Sequence, residues 1–128
     1  MRILLDTVAV LRAMGTVPAQ PPAWRDLLAD LRNERWISSV SLAEIAVKAA
    51  IGKLEWHDWP LTQASDKLVA TDLPFLPEHA ERMRHLPLYH RDPFDRMIIA
   101  QALVEDLTVM TTDRHFAAYG VRLVPSAD

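Results

Sequence analysis

Met1-Arg-Ile-Leu-Leu-Asp6-Thr7 runs a short apolar stretch straight into a carboxylate. The run is too short for a membrane span or a signal-peptide core, but it suits a strand buried on both faces. The reading is a strand over residues 2–6, then a helix over residues 7–14 that ends near Gly15. The same unit recurs along the chain. Trp36-Ile-Ser38 reads as a second strand, followed by a helix to about residue 51, just before Gly52. Residues 73–76 read as a third strand, 108–112 as a fourth and 121–124 as the last. Helices are expected over residues 60–70 and 77–86, a longer one over 93–105 capped by Asp92, and a short helical turn over 113–119 closed by Gly120. After a proline-rich loop over residues 18–22, Pro22 starts an amphipathic helix. Trp24, Leu27, Leu28 and Leu31 share its apolar side, with Arg25, Asp26, Asp30 and Arg32 opposite.

Strands alternating with helices of this length predict an α/β fold with a mostly parallel sheet covered on both faces. The chain has 128 residues, half of them hydrophobic, which is enough for one core and short for two, so a single domain over residues 1–128 is expected. Without cysteine, a disulfide framework and a thiolate metal site are both excluded. These features point to a soluble, cytoplasmic protein with no membrane role. A formal charge of −3 argues against gripping a long nucleic acid through a broad basic face, although it leaves room for cutting a few nucleotides.

In open parallel sheets, ligands bind beyond the carboxyl ends of the strands. Four acids stand at such places: Asp6 closes the first strand, Glu44 lies in the first turn of the helix after the second, Asp113 follows the fourth, and Asp95 opens the long helix. Each also has a structural reading. Ser41-Leu-Ala-Glu44 matches a capping box, Asp92-Pro-Phe-Asp95 repeats that pattern, and Asp6 and Asp113 suit N-caps. Brought together in one cleft, the four would repel each other and call for a cation. Mg²⁺ or Mn²⁺ favours such oxygen ligands, and two such ions about 3.5–4 Å apart would activate water and stabilise the leaving oxygen of a phosphodiester. Lys48 is spaced for an ion pair with Glu44 or for a phosphate. Arg91 and Arg96 would clamp phosphate or neutralise the acids, and Thr7 would bond within the site or cap its helix.

Other motifs carry less. His57, His79, His85, His90 and His115 show no zinc-binding spacing and read as surface or loop residues. Gly15, Gly52 and Gly120 read as helix terminators, with no Gly-rich phosphate loop and no Gly-x-Ser-x-Gly elbow in the chain. Asp6-Thr7-Val8 lacks the second acid of an aspartate-nucleophile phosphatase. Where a receiver-like phosphorylation switch would want a lysine, the chain has Asp113-Arg114. Trp24, Trp36, Trp56 and Trp59 read as core or interface anchors, with Trp56 and Trp59 partly exposed.

Several segments together resemble the VapC branch of PIN-domain proteins, in the right order and over nearly the whole chain. They are Asp6-Thr7, Ser41-Leu-Ala-Glu44-Ile-Ala-Val-Lys48, Ile51-Gly-Lys-Leu54 and Thr111-Thr-Asp113-Arg-His-Phe-Ala-Ala-Tyr-Gly120. The most specific is Leu86-Pro-Leu-Tyr-His-Arg-Asp-Pro-Phe-Asp95-Arg-Met-Ile-Ile-Ala-Gln-Ala102. The resemblance implies a PIN-like three-layer α/β/α sandwich and Mg²⁺-dependent endoribonuclease activity, with Mn²⁺ as a substitute. It also implies neutralisation by a VapB-like antitoxin, a homodimer and a larger toxin–antitoxin assembly. By the same resemblance Asp6, Glu44, Asp95 and Asp113 are the catalytic, metal-holding acids, while Asp92 is the cap. The chain departs from the pattern at Val8 and Ala43, where relatives often carry histidine and tryptophan. Neither change removes a metal ligand, so they bear on contacts near the cleft. The alternative function is a catalytically inactive PIN-like binding module, against which the four retained carboxylates weigh.

Overall fold

The computed structural model describes residues 1–15 and 21–124, so the expected proline-rich loop lies mostly outside the described residues. Its centre is β1 (Arg2–Leu5), hydrogen-bonded between β2 (Glu34–Ser38) and β4 (Thr108–Met110). With β3 (Thr71–Leu73) on one edge and β5 (Leu123–Val124) on the other, the order is β3-β2-β1-β4-β5 and all four pairings are parallel. A strand flanked on both sides and covered on both faces is apolar throughout. Leu4 therefore packs with Ile98, Ile99, Val109 and Phe116 on one face, and Ile3 and Leu5 pack with Val10, Trp24, Ile37, Ile45 and Met110 on the other. The first layer is built mainly by α5 (Pro77–Arg84) and α6 (Pro93–Glu105), the second by α1 (Thr7–Ala13), α2 (Pro22–Ala29) and α4 (Ala64–Leu68). The helix α3 (Ser39–Ala50) touches both, through Val40 and Ile45. The expected three-layer α/β/α arrangement is thus present.

Where boundaries moved, tertiary pairing is the reason. The third strand occupies Thr71–Leu73 rather than residues 73–76, in register with Trp36, Ile37 and Ser38 of β2. Pro74 has no N–H to continue the ladder. The helix expected over residues 60–70 splits into a 3-10 turn, Leu61–Gln63, and α4, which Val69 ends in the left-handed region (φ 52°). The amphipathic helix α2 stops at Ala29, which leaves Leu31 exposed instead of on its apolar side. The fourth strand stops at Met110, and β5 is confined to Leu123–Val124.

Three elements are tied at the carboxyl edge by one buried amide. The Ser38 hydroxyl donates to Gln101 Oε1 (2.5 Å), and Gln101 Nε2 donates to the carbonyls of Leu73 (3.5 Å) and Pro74 (3.3 Å). Gln101→Leu would leave these partners buried without it. We expect a loss of about 1–3 kcal/mol, read as a lower urea midpoint with an unchanged slope.

Candidate active site

At the carboxyl edge β1 and β2 hand over to helices and β4 to a short turn, so acids at those junctions meet. Asp6 follows β1, donates its own N–H to the Met110 carbonyl (3.2 Å), and caps α1 by accepting from Ala9 N–H at Oδ1 (2.8 Å). Thr111, one residue past β4, bonds to Asp6 through its hydroxyl and accepts from Asp113 N–H (2.9 Å). Asp113 caps the 3-10 turn Arg114–Tyr119, with Oδ1 accepting from His115 N–H (2.9 Å). Asp92 caps α6 by accepting from the N–H groups of Phe94 and Asp95. That leaves the Asp95 side chain free to turn into the cleft.

Glu44 is not where the capping-box reading put it. Ser38, at the very end of β2, caps α3 by accepting from Val40 N–H (3.0 Å). The helix therefore starts at Ser39, and Glu44 falls in its second turn. There it is 6 % exposed, and Oε1 accepts a 2.6 Å bond from the Thr7 hydroxyl. Its other oxygen pairs with Lys48 Nζ at 2.8 Å. The ion-pair reading of Lys48 thus holds, and the cap reading of Thr7 gives way to a bond within the site.

Asp6, Glu44, Asp92, Asp95 and Asp113 act on one another electrostatically. Burial, with added repulsion from Asp113 and Glu44, pushes the Asp6 carboxyl up to about 6 against the bonds from Thr111 and Ala9. Burial and the Asp92 charge raise Asp95 to about 6 as well, with His90 opposing. For Asp113, partial burial acts upward, but the bonds from His115 and the charge and bond of His90 outweigh it and hold the carboxyl below its usual range. Lys48 is held up by its bond to Glu44, against its own burial and with help from Asp92 and Asp95. The cluster carries more negative charge than Lys48 offsets. Its carboxylate oxygens are a set that suits a hard divalent cation.

Three residues were misjudged from sequence. His90 is a site residue: its Nε2 lies 2.8 Å from Asp95 Oδ2 and 3.1 Å from Asp113 Oδ2. The available signal was its place two residues before the cap Asp92. Arg96 instead donates to the carbonyls of Met83, Leu86, Pro87 and His90 and to Tyr119 Oη. Neither loop nor surface describes His79, which is fully buried, with Nδ1 accepting from Leu76 N–H (2.9 Å) and Nε2 meeting Glu105 (2.9 Å). Arg91 is exposed beside Asp92.

A family model described as PIN domain matches residues 3–121. Among solved structures, the chain resembles VapBC2 from Rickettsia felis bound to a DNA fragment from its promoter, with a TM-score of 0.65 and 19% identity over 96% of this chain and 97% of the other. FitAcB from Neisseria gonorrhoeae gives 0.63 and 24% identity over 94% and 95%. DNA-bound VapBC from Salmonella typhimurium gives 0.60 and 20% identity over 96% of each chain. At these identities the likeness speaks for the fold. No curated protein matches the chain.

The buried charge has a measurable cost. A carboxyl raised to about 6 favours the folded state fully only below its unfolded value near 3.8, and that contribution is lost as pH rises through 6. For Asp6 the loss at pH 7 is on the order of 3 kcal/mol. In EDTA, Asp6→Asn should therefore melt higher than the wild type at pH 7, and the gain should fade as pH falls from 6 towards 4. Thermal melts of both proteins across that range test this; a difference independent of pH would contradict it.

Proposed function

The chain belongs to the PIN-domain family, and from that premise we propose that it is the toxin of a VapBC-type toxin–antitoxin pair, a Mg²⁺- or Mn²⁺-dependent endoribonuclease. The observation that carries the reading is the convergence of Asp6, Glu44, Asp95 and Asp113 on one edge of the sheet with too little positive charge beside them. PIN domains are generally nucleases, and the similar solved structures named above include VapBC complexes.

In this reading Asp6 and Asp95 are the principal metal-holding groups, with Glu44 and Asp113 completing the set directly or through water. When bound, a divalent cation would activate the attacking water and stabilise charge on the phosphodiester in an in-line displacement. The chain's own contribution is placement. Thr7 and Lys48 orient Glu44, the Asp92 cap aims Asp95, and Thr111 links Asp6 to the backbone of Asp113. Exposed Arg91 would meet a backbone phosphate at the rim. No covalent enzyme intermediate is required. An acidic protein with few basic contacts suits a folded RNA with a splayed loop rather than a long duplex.

The partner is a VapB-like antitoxin. Val8 of α1 and Val47 and Ile51 at α3 are exposed apolar side chains for it to cover, and a basic side chain from it would find charge to neutralise in the cleft. A homodimer and a larger toxin–antitoxin assembly belong to the same proposal. A cytoplasmic site of action belongs to the same proposal; among the described residues no helix is long and apolar enough to cross a membrane.

Purified wild-type protein should cut total RNA into discrete fragments with Mg²⁺ or Mn²⁺ and stop in EDTA. Asp6→Asn and Asp95→Asn should each lower the rate by at least about a hundredfold while circular dichroism shows the fold retained. Wild-type rates in either variant would overturn the assignment. Failure of folded, antitoxin-free protein to cut structured RNAs would favour the binding-module alternative. Adding the cognate antitoxin should abolish cleavage and give a larger complex by light scattering.

A further inference from the structure

Among the side chains around the cleft, His90 has a position that the proposed reaction does not yet explain. Its Nε2 and the Oδ2 atoms of Asp95 and Asp113 all lie within 4.8 Å of one another, so the ring spans two carboxylates that come from different elements. Asp95 sits in the first turn of α6, and Asp113 follows β4. No covalent or backbone link fixes the distance between these two side chains. The imidazole does.

The surroundings of the ring decide which role it can play. Two carboxylate oxygens within 3.1 Å of Nε2 call for a hydrogen on that nitrogen, and Nδ1, 3.5 Å from the N–H of Asp92, is left on the acceptor side. A metal-ligating histidine has the opposite arrangement, a bare nitrogen towards the ion and the other ring N–H given to an acceptor. His90 is therefore built to donate to the two carboxylates. Its backbone is held equally firmly: its N–H donates to Tyr119 Oη (2.8 Å), and its carbonyl accepts from Arg96 Nη1 (3.3 Å). Tyr119 Oη in turn donates to the Pro87 carbonyl (2.8 Å), while Arg96 gathers the carbonyls of Met83, Leu86 and Pro87. The whole segment before α6 is thereby fixed around one arginine and one tyrosine, and its inward-facing product is the Nε2–H of His90.

We propose that His90 is a positioning residue which, through Nε2–H, holds Asp95 and Asp113 at the separation needed to share a divalent cation, without ligating that cation itself. The inference rests on the metal-site reading above. With a donor between them the two carboxylates sit side by side, Asp113 being held at Oδ1 by His115 and at Oδ2 by His90. Removing the donor frees the Asp95 side chain and leaves Asp113 only its Oδ1 bonds to His115, so the ion then has to bring the two together. Losses of a metal site's supporting bonds commonly weaken metal affinity by about 10–100-fold.

The test is Mn²⁺ binding by the full chain, followed by electron paramagnetic resonance, with no RNA present. Gln places an amide nitrogen near the position of Nε2, whereas Asn reaches only as far as Nδ1. His90→Gln should therefore bind Mn²⁺ within about threefold of wild type, and His90→Ala and His90→Asn should bind at least about tenfold more weakly. Urea midpoints within the same range for the Gln and Asn variants would separate this pattern from a general loss of structure. The wild-type protein also gives a readout that needs no variant: its Mn²⁺ electron spin-echo modulation should show no directly bound nitrogen. A directly bound nitrogen, or wild-type affinity in His90→Ala while Asp95→Asn loses binding, would overturn the positioning role and leave the metal site standing. No Mn²⁺ binding by the wild type would overturn both.

Discussion

Parallel pairing of β1 with a neighbour on each side is the constraint from which the cleft follows. Leu5 is in register with Ile37 on one side and Met110 on the other. The residues immediately beyond, Asp6, Ser38 and Thr111, are thus set side by side at one edge. Two of the proposed acids are placed by that register almost without further help, Asp6 by following β1 and Asp113 by following Thr111. The others arrive on helices. Glu44 must come down from the second turn of α3, and the Thr7 hydroxyl receives it there. Asp95 comes from a helix on the opposite layer, which is why it needs the Asp92 cap and the His90 bond to reach the same point. The burial that keeps Ile3, Leu4 and Leu5 out of solvent also desolvates Asp6, so a central strand and an uncomfortable charge are adjacent by construction.

Capping and metal binding do not compete for these carboxylates as sharply as the sequence alone suggested. A carboxylate has two oxygens with several acceptor positions. Asp6 uses Oδ1 for the Ala9 N–H, and Asp113 uses Oδ1 for His115 and Oδ2 for His90. Bonds of this kind hold a side chain in one rotamer, as a metal site requires. Asp92 differs because Oδ1 takes two backbone N–H groups at the mouth of α6. It acts on the cleft through its charge on Asp95 rather than by reaching into it.

What could be read in advance divides along the range of the interactions. The helix over residues 93–105 was visible with its limits because Asp92, Pro93 and the apolar repeat are all local. The β1-to-α1 junction was visible for the same reason, and with it Asp6. By contrast, the third strand is chosen by what β2 can pair with, and the apolar run from Leu73 pointed two residues too far along. Glu44 was placed correctly in the cleft for an incorrect local reason, since Ser41 looked like a cap and Ser38 is one. His79, His90 and Arg96 were misjudged because each side chain is satisfied by residues distant in sequence: Glu105 for His79, Asp113 and Tyr119 for His90, and carbonyls from 83 to 90 for Arg96. No periodicity records such contacts.

The shortage of positive charge at the cleft gives the proposed function its control. A site that neutralised its own acids with buried arginines would be more stable without an ion and would have no use for one. Here the one arginine on the same helix, Arg96, holds a loop, and among the described residues Lys48, His90 and His115 meet the acids. The deficit is left for something from solution to fill. Under the proposed reading two kinds of group meet that need, a divalent cation that enables cleavage and a basic side chain of the antitoxin that blocks it. Both draw on the same carboxylates, so each weakens the other's binding by the same factor, as linkage between ligands requires. Inhibition then needs no change of fold in the toxin, only a competing positive charge delivered by a partner that also covers the apolar surface nearby.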